Sequence, residues 1–213
     1  MAKSSATASG VSAVILAGGG SRRMGEDKSQ LKLGRQTLLA RSVQAMAALS
    51  DDVIVVTNTA ARLGHLAIRI VGDEIAGHGP LSGLHAGLRA ANHAHAVVVA
   101  CDLPFLNSRL LRYMIIVAPG YDAVVPHWQG EAEPLHAVYA RTCLPAVEAL
   151  LSNGGKRVVE FYPQVNVRYL EHSEIALFDP EGLSFFNVNT SQDWERAREI
   201  EVSWQRQEKQ VSS

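Results

Sequence analysis

Ala17-Gly18-Gly19-Gly20-Ser21-Arg22-Arg23-Met24-Gly25-Glu26-Asp27-Lys28 places three consecutive glycines ahead of a group of cations. Glycine lets the backbone come close to a ligand, and successive N–H groups in such a turn can converge on an anion. Arg22, Arg23, Lys28, Lys32 and Arg35 follow in a chain whose 20 Lys and Arg are balanced by 21 Asp and Glu. A local excess of positive charge beside a glycine turn suits a polyphosphate. A surface turn with solvated charges has the same composition, and position favours the phosphate. The glycines follow Val11–Leu16 (VSAVIL), a strand-like run, and ligands collect at the carboxyl edge of strands in α/β sheets. Two common phosphate loops do not fit. GxGxxG fails because Arg23 stands at its third glycine, and GxxxxGK[ST] fails because Glu26-Asp27 follows Gly25 and Lys28-Ser29 comes two residues late.

A second candidate is Asp102, in Cys101-Asp102-Leu103-Pro104-Phe105 after the run Ala96–Ala100 (AVVVA). A carboxylate at that strand tip shares the crevice with the glycine turn. There it could hold Mg²⁺, which uses few protein ligands and borrows phosphate oxygens. Asp102 fits a helix cap or turn equally well. Asp73 is another strand-end carboxylate, followed by His78-Gly79-Pro80-Leu81-Ser82-Gly83-Leu84; an ordinary turn with Ser82 near a helix start accounts for it equally. Late in the chain, Asn187 and Asn189 alternate on an extended segment, so their amides face one side. Thr190 or Ser191 can cap the helix that follows, which explains a hydroxyl but not both amides. His136 lies on a strand and points inward or outward. His93 and His95 have no third ligand and read as surface residues, and Cys101 reads as a small buried hydrophobe.

The elements that would position these groups alternate. Strands are expected at Val11–Leu16, Val53–Thr57, Ile68–Val71, Ala96–Ala100, Ala123–Val125, Leu135–Ala140 and Val165–Leu170. Helices are expected at Thr37–Leu49, Leu81–Ala91, Ser108–Val117, Thr142–Leu151 and Ser191–Glu208. Short uncharged β-branched runs suit a sheet covered on both faces, and the order implies an open, mostly parallel α/β sheet.

Composition narrows the class. With 47% hydrophobic and 19% charged residues the chain can bury a core and is not mostly disordered. A net charge of -1 argues against broad binding to nucleic acid or acidic membranes. Cys101 and Cys143 make neither a disulfide framework nor a zinc pair. No apolar run approaches the roughly 20 residues of a membrane helix, and the first ten residues read as a flexible tail without a secretion signal. A reducing, cytoplasmic setting is the expectation.

LAGGGSRRMGEDK (Leu16–Lys28), GPLSGL (Gly79–Leu84), CDLPF (Cys101–Phe105), PLHAVY (Pro134–Tyr139) and NVNTSQD (Asn187–Asp193) together resemble, in order, the nucleotidyltransferases that build molybdenum cofactors. Within that group they resemble the guanylyltransferases. The resemblance implies a single-domain Rossmann-like nucleotidyltransferase fold at 11–204, with flexible tails at 1–10 and 205–213. It implies transfer of GMP from GTP to molybdopterin or molybdenum cofactor with Mg²⁺, and leaves downstream molybdoenzymes or their chaperones as candidate partners. By the same resemblance Leu16, Ala17 and Gly18 contact the nucleotide through backbone groups and Lys28 holds its phosphates, with Arg23 beside it on the leaving pyrophosphate. Asn58 and Asp73 contact guanosine, Asp102 holds the metal, and Asn187 and Asn189 face the pterin substrate. Ser191 departs from the usual Pro. The alternatives are a CTP-dependent sister enzyme, which tends to show LAAG where this chain has Leu16-Ala17-Gly18-Gly19, a sugar-phosphate nucleotidyltransferase, and a non-catalytic cofactor carrier. Retention of Lys28 and Asp102 speaks against a carrier.

Overall fold

A computed structural model describes residues 10–18, 28–58, 68–73, 75 and 78–211, the side chains of 28 and 205–211 excepted. The main sheet contains β1 (Val11–Leu16), β4 (Val53–Val56), β5 (Arg69–Val71), β6 (His95–Ala100), β7 (Ala123–Trp128), β9 (His136–Ala140) and β10 (Val167–Leu170). Its order is β10-β7-β9-β6-β1-β4-β5, and β8 (Glu131–Ala132) extends β7 as a hairpin. β1 pairs in parallel with both β4 and β6, and β4 with β5. Strand β9 alone of the main path runs against its neighbours β6 and β7. The expected mostly parallel α/β sheet is therefore present. The chain leaves β1 in one direction toward β4 and β5 and returns on its other side as β6. That reversal opens a crevice beyond the carboxyl ends of the central strands.

Strict alternation explains why the central strands carry no exposed face. Ala13, Ile15, Val97 and Val99 enter one apolar cluster with α1 (Leu38–Ala47) and α3 (Ser108–Val117). Val14, Leu16, Ala96 and Val98 enter another with α2 (Pro80–Ala90) and α4 (Leu144–Ser152). Helix α2 lies close to the sheet because Gly83 and Gly87 face it. A Cβ on Gly83 would stand 3.4 Å from Leu16, and one on Gly87 would collide with Val14 Cγ1. A third cluster joins Leu33, Leu38, Phe105, Val188 and Ala197, tying the loop after β6 to α6 (Ser191–Val211).

Several elements have no periodic signal to announce them. The two-residue strands β2 (Lys32–Leu33) and β3 (Gln36–Thr37) form a hairpin across Gly34, whose φ of 64° suits a tight turn. Between α4 and β10, Val158–Gln164 is a 3-10 helix containing Pro163, and α5 (His172–Ile175) is a single turn. Helix α6 runs three residues past the predicted Glu208.

Candidate active site

At the tip of β6, Asp102 lies in a turn and α3 takes its cap from another residue. Helix α3 is capped by Asn107, whose Oδ1 accepts from the N–H groups of Arg109 and Leu110 at 3.0 and 3.1 Å. Asp102 is therefore not the cap. Its backbone carbonyl accepts from Val188 N–H at 3.0 Å. With the Asn187 amide turned so that its nitrogen faces the carboxylate, Nδ2 donates to both Asp102 oxygens at 2.9 and 3.0 Å. The late segment is thus fastened to the strand tip at two points. Val188 is fully buried while Asn187 and Asn189 are exposed on either side of it. Asn189 N–H and Thr190 N–H both donate to Asp193 Oδ2, at 3.0 and 2.8 Å, and Asp193 N–H donates to Thr190 Oγ1 at 3.1 Å. This reciprocal cap makes Thr190 the helix-starting hydroxyl and fixes the segment's exit into α6.

On the other side of β1 the strand tips hold each other. Leu16 C=O accepts from Cys101 N–H at 3.0 Å, and Ala17 N–H donates to Val56 C=O at 2.9 Å. Those two backbone groups already have sheet-like partners, and Gly18 is the first exposed residue of the turn. Its bare α-carbon faces Val56 and Thr57: a Cβ there would lie 3.8 Å from Val56 O. Asn58 follows directly, and its Oδ1 accepts from Asp73 N–H at 2.8 Å. Asp73 Oδ1 accepts from Ile75 N–H at 3.0 Å, and Oδ2 from Ser82 Oγ at 2.6 Å. Asn58 and Asp73, distant in sequence, are therefore direct neighbours. Arg23 lies outside the described residues. Lys28 opens a short 3-10 helix, Lys28–Gln30, and its side chain also lies outside them.

The half of the crevice beyond Asp102 is built differently. His136 points inward: it pairs with Val99 across β6–β9 and is fully buried, edge-on to Phe185 at 5.1 Å. Neither ring nitrogen has a hydrogen-bond partner, and burial pushes its pKa down to about 4. The ring is therefore a neutral core aromatic. Trp128, at the end of β7, stacks on His172 at 4.9 Å and meets Phe185 at 5.6 Å. Glu133, in the turn before β9, is half-buried; burial and then the Glu131 charge push its carboxyl up to about 7. Cys101 is half-buried rather than buried, and packs at the rim of the core. His93 is partly exposed with Nε2 3.6 Å from Asp51, as expected of a surface residue.

Sequence reasoning gave Ser82 only a turn role near a helix start and passed over Glu133. The signal for Ser82 was its place just inside a helix that follows a strand-end carboxylate. Glu133 offered none, because its burial depends on the β7–β8 hairpin.

Among the described residues no group of three or more His, Cys, Asp or Glu side chains could hold a metal ion. A single carboxylate clamped at the sheet edge instead fits an ion that takes few ligands from protein and most from substrate and water. No helix among the described residues is long and apolar enough to cross a membrane.

A mostly parallel α/β sheet whose switch point is flanked by Gly18, Asp73 and Asp102 has the architecture of the nucleotidyltransferase fold. A family model for the MobA-like NTP transferase domain matches residues 13–167, and the chain belongs to that family. It is 43% identical to a probable molybdenum cofactor guanylyltransferase of Pelotomaculum thermopropionicum, over 87% of this chain and 90% of that protein. It is 36% identical to a molybdenum cofactor guanylyltransferase of Syntrophotalea carbinolica, over 88% and 90%. The crystal structure of molybdopterin-guanine dinucleotide biosynthesis protein A from Archaeoglobus fulgidus superposes with a TM-score of 0.78 at 28% identity, covering 89% of this chain and 97% of that one. A cytidylyltransferase from Thermus thermophilus, 2-C-methyl-D-erythritol 4-phosphate its substrate by name, shares the fold with a TM-score of 0.70 at 19% identity, over 90% and 98%.

Proposed function

We propose that the protein is a molybdenum cofactor guanylyltransferase, joining GMP from GTP to the terminal phosphate of molybdopterin or molybdenum cofactor. One observation carries the reading: Asp102 caps no helix and is held by Asn187 at the edge it shares with Gly18, Asn58 and Asp73. The family's named relatives support the choice of guanine and of acceptor.

In this reading an oxygen of the acceptor phosphate attacks the α-phosphorus of GTP. A new phosphoanhydride forms, the bond between the α-phosphorus and the bridging oxygen breaks, and pyrophosphate leaves with that electron pair. A phosphate monoester is already ionised near neutral pH, so no general base is needed, and catalysis consists of alignment and charge neutralisation. Gly18 and the glycines after it would bring N–H groups to the triphosphate. Arg23 and Lys28 would stabilise the departing pyrophosphate. Asn58 and Asp73 would receive the guanosine, and Leu16 and Ala17 would form the floor of its slot. Asp102 would hold the divalent cation, Mg²⁺, which when bound supplies positive charge at the α-phosphate. Asn187 would fix the carboxylate while Asn189 faces the pterin side.

The test is thermal unfolding with each of GTP, CTP, ATP and UTP in the presence of Mg²⁺. A ligand at 100 times its Kd adds roughly 2.7 kcal/mol of stability. GTP should raise the midpoint most. A shift with CTP alone would move the protein to the cytidylyl branch.

A further inference from the structure

Ser82 is the third residue of α2 and is 1% exposed. Its hydroxyl has one proton to give and two oxygens in reach: Asp73 Oδ2 at 2.6 Å and Gly79 O at 2.9 Å. The shorter contact is to a carboxylate, and a charge-assisted bond takes the proton. Helix α2 does not need Ser82 as a cap, since it starts from Gly79 at a φ of 59° with Pro80 in its first turn. The hydroxyl therefore serves Asp73.

Asp73 receives one donor on each oxygen, Ile75 N–H on Oδ1 and Ser82 Oγ on Oδ2, and its own N–H is tied to Asn58. A carboxylate has about four acceptor directions, so with respect to the described residues one remains on each oxygen. The pair cannot rotate without losing both bonds. Gly83, next to Ser82, packs on Leu16, and Gly72, next to Asp73, would place a Cβ 3.5 Å from Asn58 Oδ1. The Ser82–Asp73–Asn58 chain thus flanks the strand tip at Leu16–Gly18, where the triphosphate turn begins.

We propose that Ser82 is a positioning residue for nucleotide selection: it locks the Asp73 carboxylate so that its open edge accepts two adjacent donors of the nucleoside. The inference rests on the reading of Asp73 as a nucleoside contact. The donors are either guanine N1–H with its 2-amino group or the ribose 2′ and 3′ hydroxyls, and both present the same paired geometry.

The test measures steady-state kinetics of the full chain with molybdopterin, Mg²⁺ and GTP, inosine triphosphate or 2′-deoxyGTP. The variants are Ser82→Ala, Ser82→Cys, Asp73→Ala and the double variant Ser82→Ala/Asp73→Ala, each also followed by thermal unfolding. Ser82→Ala should raise KM for GTP about tenfold while kcat stays within about twofold, the effect of losing one bond to a charged group. Ser82→Cys, close in volume with a weak donor, should give an intermediate rise. In the Asp73→Ala background Ser82→Ala should add nothing. Loss of the Ser82→Ala effect with inosine triphosphate supports the inference and assigns the base edge; loss with 2′-deoxyGTP supports it and assigns the ribose. If Asp73→Ala raises KM and neither Ser82 variant does, Ser82 is not the positioning residue, and the reading of Asp73 stands. If Asp73→Ala leaves KM unchanged, that reading falls and the inference with it. A drop in kcat and melting temperature with KM unchanged for all three nucleotides would make Ser82 a structural tie only.

Discussion

The two sides of the crevice are held by different forces. Toward β4 and β5, polar groups fix each other in a short chain from Asn58 through Asp73 to Ser82, all within the loops after strands and the first turn of α2. Toward β9, β7 and β10, the floor is aromatic: Trp128, His172, Phe185 and a buried His136 pack against one another, and neither ring nitrogen of His136 has a hydrogen-bond partner. Asp102 stands between them, held by one late segment, with Asn187 on its carboxylate and Val188 N–H on its backbone carbonyl. Hydrogen bonds specify direction, as the selection of one base requires. Packing of large rings specifies position over a wide area.

Breaking the junction should cost most. Asp102→Asn keeps the shape of the side chain, removes the charge offered to the divalent ion and sets two amides face to face with Asn187. Turnover should fall about 10²-fold or more with the melting temperature little changed; near-normal activity at saturating Mg²⁺ would remove the metal role. Asn187→Ala leaves the charge and frees its orientation, so a loss of about tenfold in kcat is expected, smaller than for Asp102→Asn. Equal losses would mean that Asn187 touches substrate itself.

The two sides also differ in how they fail. On the nucleoside side, Gly87→Ala would drive a methyl into Val14 beneath the strand tip. The expected cost is about 1–3 kcal/mol of stability, read as a lower urea midpoint at unchanged slope. On the aromatic side the sensitive variable is pH. His136 binds a proton less readily folded, at about 4, than unfolded, at 6.5. The unfolded chain therefore holds the extra proton between those values, so this residue leaves stability untouched above pH 6.5 and lowers it as pH falls toward 4. The full difference is at most about 3 kcal/mol. Glu133 acts in the opposite sense: its folded carboxyl titrates near 7 rather than 4.5, so it lowers stability as pH rises through that window. His136→Phe should flatten the acid side of the stability profile and Glu133→Gln the neutral side. Profiles unchanged by either substitution would place the pH response elsewhere.

The nucleoside side was the more legible of the two in the sequence. Uninterrupted runs such as VSAVIL and AVVVA name buried parallel strands because both faces are covered, and glycines and carboxylates at their ends name the edge where a ligand sits. What spacing could not give was the partnership of Asn58, Asp73 and Ser82, which depends on β5 lying beside β4. For Asp102 the sequence left a cap or a turn open beside a metal ligand, and Asn107 at the start of α3 removes the cap alone. On the other side the signals were weaker for a physical reason. Strand β9 enters antiparallel, so the direction of His136 depends on register with β6 rather than on its own neighbours. The 3-10 turns and the β2–β3 hairpin are too short to carry a period.

Choice of base and transfer to the acceptor are read together in a competition: molybdopterin, Mg²⁺ and equal GTP and CTP, with the dinucleotide product identified by mass. Guanine product should exceed cytosine product by about tenfold to a hundredfold, the effect of leaving one or more buried polar groups unpaired with the wrong base. A product that is predominantly the cytosine dinucleotide would contradict the account.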